Sequence, residues 1–189
     1  MTLRRPVALF TCALAFAVPL AGCGNKEDEI KSAETEGAYL DLGGLRYQVQ
    51  ISRQLNPRDV EDHAYLTGVA PDQARLRPGE SWFGVFLLVQ NEHDTTRQAA
   101  DDFELADTAE TVYRPVPISP TNPFSYQGGP VARKSTIPPP QSVAQLNQSV
   151  GGSLVLFKVK TESFGNRPLE LKILGPTVPQ DVATLDLDV

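Results

Sequence analysis

The sequence predicts an all-β sandwich of about seven to eight strands, and three observations lead to that prediction. Apolar and polar residues alternate with a period of two along several stretches, and no stretch keeps a helical period. Turn residues separate these stretches at short intervals. Residues 82–90 are apolar at both parities, as in a central strand that is covered on both faces. Several short strands without intervening helices are typical of a sandwich.

The strand pattern begins near residue 39 and is clearest where Leu45, Tyr47, Val49 and Ile51 alternate with polar residues. Such a strand has one buried and one solvated face. Residues 103–107 and 111–115 are expected to form a hairpin. The other strands are expected at residues 64–66, 82–90, 153–159, 169–173 and 184–189.

Residues 115–141, the proline-rich segment, interrupt this pattern because they contain eight of the sixteen prolines. Proline has no amide hydrogen for a sheet ladder, so we expect no regular sheet there. A loop of this length is either functional or disordered. Phe124 and Tyr126 either attach the segment to the sandwich or, if exposed, are candidate anchors of a partner-binding loop. Residues 141–148 are compatible with one helical turn or an edge strand.

The amino-terminal residues have the features of a signal peptide. Arg4 and Arg5 precede an apolar run, residues 7–18, that Pro6 and Pro19 bracket. Twelve helical residues extend about 18 Å at ~1.5 Å per residue. A bilayer core requires ~30 Å, so the run is too short for a stable span and fits a signal hydrophobic region.

The run ends in Leu20-Ala21-Gly22-Cys23, which resembles the lipobox of bacterial lipoproteins. The resemblance implies cleavage between Gly22 and Cys23 and a diacylglyceryl thioether on the Cys23 sulfur. Two or more acyl chains give stable membrane anchoring. The alternative is an ordinary signal peptide with a chance cysteine. Residues 1–22 are therefore predicted as a lipoprotein signal peptide, and the polar residues 23–38 as the lipidated cysteine and a flexible tether.

The order of the remaining elements resembles the extracellular immunoglobulin-like domain of the DUF4352 type, found in many bacterial lipoproteins. A secreted mycobacterial antigen family shares this sandwich. The resemblance implies an immunoglobulin-like β-sandwich over residues 39–189 and implies no particular activity. The chain departs from it in the proline-rich segment and lacks the cysteine pair of antibody domains. The similar stretches are residues 83–91, 102–107, 113–115, 151–157, 167–171 and 183–187.

Composition and motifs argue against several classes of function. The net charge is −6 and becomes −8 when Arg4 and Arg5 leave with the leader, which disfavours nucleic acid and anionic lipid headgroups as partners. The sequence contains no Gly-x-Ser-x-Gly elbow, Walker loop or His-Glu-x-x-His motif, so we expect no catalytic residues and no cofactor. Met1 is the only methionine and would leave with the leader, so a soft-metal carrier is not expected. A lipidated Cys23 could not act as a thiol nucleophile.

The isolated aromatic and histidine residues are expected to be structural. Trp82, at the start of a central strand, is expected in the core rather than as an exposed binding ring. His63 follows three acidic residues at 59, 61 and 62, but their spacing lacks a calcium loop, so a solvated acidic turn is expected and no metal site. His93 is expected in a surface turn.

Together these features predict a non-enzymatic lipoprotein on the extracytoplasmic side of the cell membrane. It would be a protein-interaction or cell-envelope binding module, with an envelope protein or cell-wall material as partner. One alternative is a small-ligand-binding lipoprotein associated with a transporter, which would need a sizeable apolar pocket. Another is an envelope enzyme, which would need a polar cleft around His63 or His93.

The lipobox assignment predicts that the protein takes up a fatty-acid analogue in growing cells and that Cys23→Ser abolishes the uptake. The thioether forms on the cysteine sulfur, and a hydroxyl does not replace it. Metabolic labelling followed by gel fluorescence measures the effect. Label of wild-type intensity on the Cys23→Ser protein would contradict the anchor.

Overall fold

The structure is a computed structural model that describes residues 29–187 of the chain. The predicted signal peptide, the cleavage point between Gly22 and Cys23, and the lipid attachment at Cys23 lie outside the described residues.

Twelve strands and three short helices form the described part of the chain. Seven of the strands contain at least four residues, and five contain two or three. The helices are α1 (Val60–Leu66), α2 (Val143–Leu146) and a 3-10 helix, Thr161–Gly165. The strands are β1 (Ser32–Ala33), β2 (Tyr39–Leu42), β3 (Leu45–Leu55), β4 (Glu80–Gln90), β5 (Arg97–Ala99), β6 (Asp102–Ala106), β7 (Val112–Tyr113), β8 (Gly129–Val131), β9 (Thr136–Ile137), β10 (Ser153–Lys160), β11 (Leu169–Leu174) and β12 (Val182–Leu187).

Two sheets face each other and confirm the predicted all-β sandwich. The first sheet has the strand order β1–β12–β11–β6–β7, and the second has the order β10–β4–β3–β2. The short β9 also pairs with β4, and β5 pairs with β8 in a separate two-stranded sheet. Apart from the parallel β1–β12 pair, the paired strands are antiparallel.

The main core lies between the two sheets and follows the period-two pattern of the sequence. Leu45, Tyr47 and Val49 of β3 point inward and are buried, whereas the residues between them are partly exposed. Phe103 and Leu105 of β6 meet them from the opposite sheet. Burial of this alternating apolar face is the principal driving force for the sandwich.

A second group of buried residues, the outer core, covers the other face of β3, β4 and β10. It explains why β4 is apolar at both parities, because Phe83 and Val85 enter the main core while Trp82 and Phe86 enter the outer core. Gly84 lies on the outer side, where a Cβ atom would be 2.9 Å from Leu154 Cδ1. The outer core contains Leu55, Tyr65, Trp82, Phe86, Ile118, Phe124, Ala144, Val150, Leu154 and Leu156.

The predicted strand at residues 64–66 is wrong, because α1 occupies this position. Asp59 caps the helix by accepting hydrogen bonds from the amides of Glu61 and Asp62 at 2.9 and 3.1 Å. The helix then places the buried Tyr65 against Phe86, with ring centroids 5.1 Å apart. A seven-residue helix is too short to show a clear helical period in the sequence.

The predicted flexible tether, residues 23–38, is wrong for the part that the structure describes. Residues 32 and 33 form β1, which pairs in parallel with Thr184 and Leu185 of β12. Lys31 Nζ lies 2.5 Å from Asp181 Oδ2, and Glu36 accepts a hydrogen bond from the Ser52 amide at 3.1 Å. The sequence around β1 is polar, and nothing in it indicates that its backbone pairs with a strand far along the chain.

The proline-rich segment contains some sheet, contrary to the prediction. Three of its residues form β8, which pairs with β5, and two form β9, which pairs with Val89 and Gln90 of β4. The ladders are short because prolines flank or occupy them. Beyond the segment, α2 confirms the helical turn that was one of two possibilities for residues 141–148.

Asp107 organises the turn between β6 and β7. Its Oδ1 atom accepts hydrogen bonds from the amides of Ala109 and Thr111 at 3.0 and 2.9 Å, and its Oδ2 atom accepts one from Asn166 Nδ2 at 3.3 Å. Burial by itself would raise the pKa of Asp107, but hydrogen bonds from Ser163, Thr111 and Asn166 outweigh burial and lower it from 3.8 to about 2.

We expect the protein to lose free energy of unfolding as the pH falls from about 4 to about 2. The folded pKa of Asp107 is below its unfolded value, so its contribution is complete above pH 3.8 and disappears as the folded carboxylate takes up a proton. Asp107→Asn should remove this part of the pH dependence. Urea denaturation between pH 2 and 6 measures it, with the exposed Asp72→Asn as control. The same acid profile for both variants would contradict the assignment.

Candidate binding groove

The two aromatic residues proposed for a partner-binding loop attach the proline-rich segment to the sandwich. Phe124 is only 7% exposed, and its ring meets Tyr65 edge to face at a centroid distance of 4.7 Å. Tyr126 is half-buried and contacts Phe103 in the same geometry at 5.2 Å. These contacts agree with the first of the two roles for Phe124, whereas Tyr126 also lines the groove described below and its role as a partner contact stays a prediction. An anchor role for an exposed Phe124 ring is ruled out by its burial.

Two buried asparagines hold this segment in place. The Asn122 amide group donates to the carbonyls of Ala64, Tyr65 and Thr67 at 3.1, 3.1 and 2.7 Å, so it caps the carboxyl end of α1. Its Oδ1 atom accepts from the Phe124 amide at 2.9 Å. The Asn122 side chain thereby provides partners for several backbone groups that have no ladder partners, because prolines interrupt the chain here.

Asn91 plays the same part at the other end of the segment. Its amide group donates to the carbonyls of Thr95, Val131 and Ala132 at 2.9, 2.9 and 3.1 Å, and its Oδ1 atom accepts from the His93 amide. The sequence pattern alone did not predict the burial of either asparagine. The sequence did offer a signal for both: Asn91 directly follows an apolar strand, and Asn122 directly precedes Pro123.

A groove opens where the chain crosses from the first sheet to the second. After β7, Val116 donates its amide to the Leu156 carbonyl of β10 at 2.7 Å, and later Tyr126 donates to Leu154 at 2.9 Å. A cavity of about 400 Å³ lies between the segment around Val116 and the segment around Tyr126. This side groove is lined by residues 101–103, 114–118, 125–127 and 154–156.

The side groove combines an apolar interior with a charged rim. Pro115, Val116 and Pro117 supply accessible apolar surface, while Phe103, Ile118 and Leu156 of its lining are buried. At the rim, the guanidinium of Arg114 is paired with two carboxylates of β6, at 2.9 Å from Asp102 and 2.5 Å from Glu104. The guanidinium has five N–H donors, so these pairs leave donors for a bound group. Binding sites for small molecules and peptides commonly have this composition.

Two tyrosines fix the backbone beside the groove. The Tyr47 hydroxyl accepts a hydrogen bond from the Ala100 amide at 2.8 Å, and the Tyr126 hydroxyl donates to the Ala100 carbonyl at 2.7 Å. Burial raises the pKa of Tyr47 to about 12 and raises that of Tyr126 well above its usual value. Both phenols therefore stay protonated at neutral pH, and neither is a general base.

The acidic stretch before His63 is not the solvated turn that the sequence suggested. Asp62 is 4% exposed and its Oδ1 atom lies 2.6 Å from Arg53 Nη2, while its Oδ2 atom accepts from the Asn56 amide at 2.7 Å. The carboxylate joins β3 to α1 and is satisfied by these partners. His63 itself is exposed. Within residues 29–187, no three His, Cys, Asp or Glu side chains gather in a way that could hold a metal ion.

Trp82 and His93 lie apart from the side groove. Trp82 is 2% exposed in the outer core, as predicted, with Lys158 Nζ 5.0 Å from the ring centroid. His93 is exposed in a polar depression of about 230 Å³ at the end of β4. The carboxylates there, Asp41 and Glu92, pair with Arg46 at 3.7 and 3.2 Å. They are thus engaged with a cation rather than aligned with the imidazole.

Similarity to known proteins is confined to the fold. No protein-family model matches the chain, and no curated protein matches it. The structure of the yjhA protein from Bacillus subtilis has a TM-score of 0.54 at 10% identity, covering 82% of this chain and all of that one. Within residues 29–187, no helix is long and apolar enough to cross a membrane.

Two further solved structures match less closely. An uncharacterized β-sandwich protein from Clostridium difficile 630 has a TM-score of 0.48 at 13% identity, covering 86% of this chain and 99% of that one. A candidate lipoprotein, ycdA, from Bacillus subtilis has a TM-score of 0.45 at 12% identity, covering 82% and 39%. Of these structures, the yjhA protein shares the overall fold of this chain, and the narrower DUF4352 assignment stays a prediction.

The role of Asn122 predicts that Asn122→Ala lowers the free energy of unfolding by about 2–4 kcal/mol, because three carbonyls and one amide lose a partner in a buried site. The exposed Asn56, which accepts one hydrogen bond from the Arg58 amide, is the matched control, and Asn56→Ala should cost less than about 1 kcal/mol. Urea denaturation measures both. Equal losses would show that Asn122 does not hold the segment in place.

Proposed function

We propose that the protein is an extracytoplasmic lipoprotein, anchored to the cell membrane through Cys23, whose sandwich is a non-enzymatic protein-interaction or cell-envelope binding module. The observation that carries the location is the leader, whose short apolar run ends in Leu20-Ala21-Gly22-Cys23. Seven positions after Cys23, Ile30 exchanges hydrogen bonds with Asp41 of β2.

The side groove is the contact surface in this proposal. Its floor on β10 is apolar, and its rim carries the Arg114 guanidinium and the exposed Asp101 carboxylate. Apolar surface ringed by polar groups is the usual anatomy of a protein interface. The Tyr47 and Tyr126 hydroxyls fix Ala100 beside the groove, so its wall is already formed before a partner binds.

A binding role fits the groove better than catalysis. Ser125, the hydroxyl on its wall, bonds to the Ile118 carbonyl and the Gln127 amide group, so no general base adjoins it. The Tyr126 phenol is held protonated by burial. His63 and His93 are outside the groove.

A small-ligand-binding lipoprotein associated with a transporter is the second candidate. One observation favours it, since a volume of about 400 Å³ lies within the range that small-molecule sites occupy. In that case the ligand would place its apolar part on the partly exposed Pro115 and Val116 and a carboxylate or phosphate on Arg114. The space between the sheets is filled by the main core, so such a ligand would bind at the surface, as in this groove.

In-cell photo-cross-linking tests the proposal. A benzoylphenylalanine that replaces the exposed Gln127 on the groove wall should yield a discrete adduct with an envelope protein or glycan. The same replacement of Gln73, an exposed glutamine in the loop before β4, is the matched control and should yield none. Point replacement is required because deletion would remove Ile118 and Phe124 from the outer core.

Arg114→Ala combined with the Gln127 probe should weaken the adduct several-fold, since the rim loses its guanidinium. Equal adducts from positions 127 and 73, or none from either, would overturn the groove as the contact surface. A small molecule that co-purifies with wild type and is lost in Arg114→Ala, as measured by native mass spectrometry, would favour the second candidate instead.

A further inference from the structure

The end of the sandwich where the chain enters carries exposed apolar side chains. Val178, in the loop between β11 and β12, is 98% exposed, and Ile30 is 52% exposed. Val182, at the start of β12, adds further apolar surface at 37% exposure. Apolar groups that a fold leaves in water at one end suggest a contact with another apolar phase.

These residues lie together because of the contacts around Lys31. Lys31 Nζ forms an ion pair with Asp181 at 2.5 Å, at the end of the β11–β12 loop, and the Lys31 carbonyl accepts from the Thr184 amide at 2.8 Å. Ile30 donates its amide to Asp41 Oδ2 at 3.0 Å. The loop, residues 175–181, therefore projects beside the point where the chain enters the sandwich.

Chain length fixes which end of the sandwich is near the lipid. Six peptide units separate Cys23 from Glu29, and a fully extended chain covers at most about 3.6 Å for each, or roughly 22 Å in all. The eleven-residue β3 strand leads away from this end and is itself about 36 Å long at ~3.3 Å per residue. The end with Ile30 is thus held near the bilayer, and the end with α1 is farther away.

We propose that the entry end is a membrane-contact surface, in which Val178 at the tip of the 175–181 loop inserts into the lipid headgroup region with Ile30 beside it. The inference rests on the proposed lipid anchor at Cys23. A single valine side chain buries little apolar area, so the contact requires the anchor to keep the loop at the surface.

The charges at this end favour neutral lipid over anionic lipid. Lys31 is shared by the carboxylates of Asp181 and Glu29, the latter at 2.8 Å. Arg46 is likewise paired with Asp41 and Glu92. Among the described residues here, Lys31 and Arg46 are each paired with two carboxylates, so neither is left free for anionic headgroups. The contact should therefore be no stronger on anionic than on zwitterionic vesicles.

The test compares two exposed valines at opposite ends of the sandwich. Val178→Cys and Val60→Cys, the latter at the start of α1 with 88% exposure, each carry an environment-sensitive fluorophore on the new thiol. The lipidated proteins, purified from membranes, are reconstituted into phosphatidylcholine vesicles. We expect blue-shifted emission at position 178, reduced about twofold or more by a nitroxide lipid in the headgroup region, and no change at position 60.

The outcomes separate the two proposals. If the wild-type protein itself takes up the thiol probe at Cys23 and fails to float with vesicles, the lipid anchor is wrong. If the anchor holds but the probes at positions 178 and 60 behave alike, the membrane-contact surface is wrong. A probe at position 178 that is protected equally without vesicles, in a species of twice the mass, would assign this end to a second copy of the chain.

Discussion

The fold depends on one requirement, namely that both faces of β4 are removed from water. Phe83 and Val85 face the opposite sheet, and Trp82 and Phe86 face away from it. A two-layer sandwich buries only the first pair. The chain therefore needs a third layer over the second sheet, and α1, the proline-rich segment and α2 form that layer. Their burial of apolar surface offsets the entropy of ordering a long irregular stretch.

Proline and asparagine have complementary parts in that layer. Each proline removes an amide donor, so the segment can lie against a sheet with fewer donors to satisfy. Its carbonyls and those of neighbouring loops still require partners when they are buried. Asn91 and Asn122 meet this need, since each amide group donates to three carbonyls. These two asparagine side chains thus supply hydrogen bonds in place of the sheet ladder that proline prevents.

The candidate sites follow from the same architecture. The side groove exists because the chain crosses from β7 to β10 on its way to the third layer and returns to β10 at Tyr126. At the entry end, β1 joins the first sheet beside β12, and the Lys31–Asp181 ion pair holds it next to the 175–181 loop.

The sequence by itself determined the sandwich and most of its long strands, because these depend on local alternation and turn residues, and its contiguous motif Leu20-Ala21-Gly22-Cys23 is the basis of the proposed lipid anchor. Only the tertiary structure decided which distant segments contact each other. The packing of the helix at residues 60–66, the strand β1 within the predicted tether, and the burial of Asn122 all depend on partners far along the chain. The groove could not be predicted for the same reason. It is made by four separate segments whose meeting is set by packing and by long-range backbone hydrogen bonds, neither of which leaves a periodic trace in the sequence.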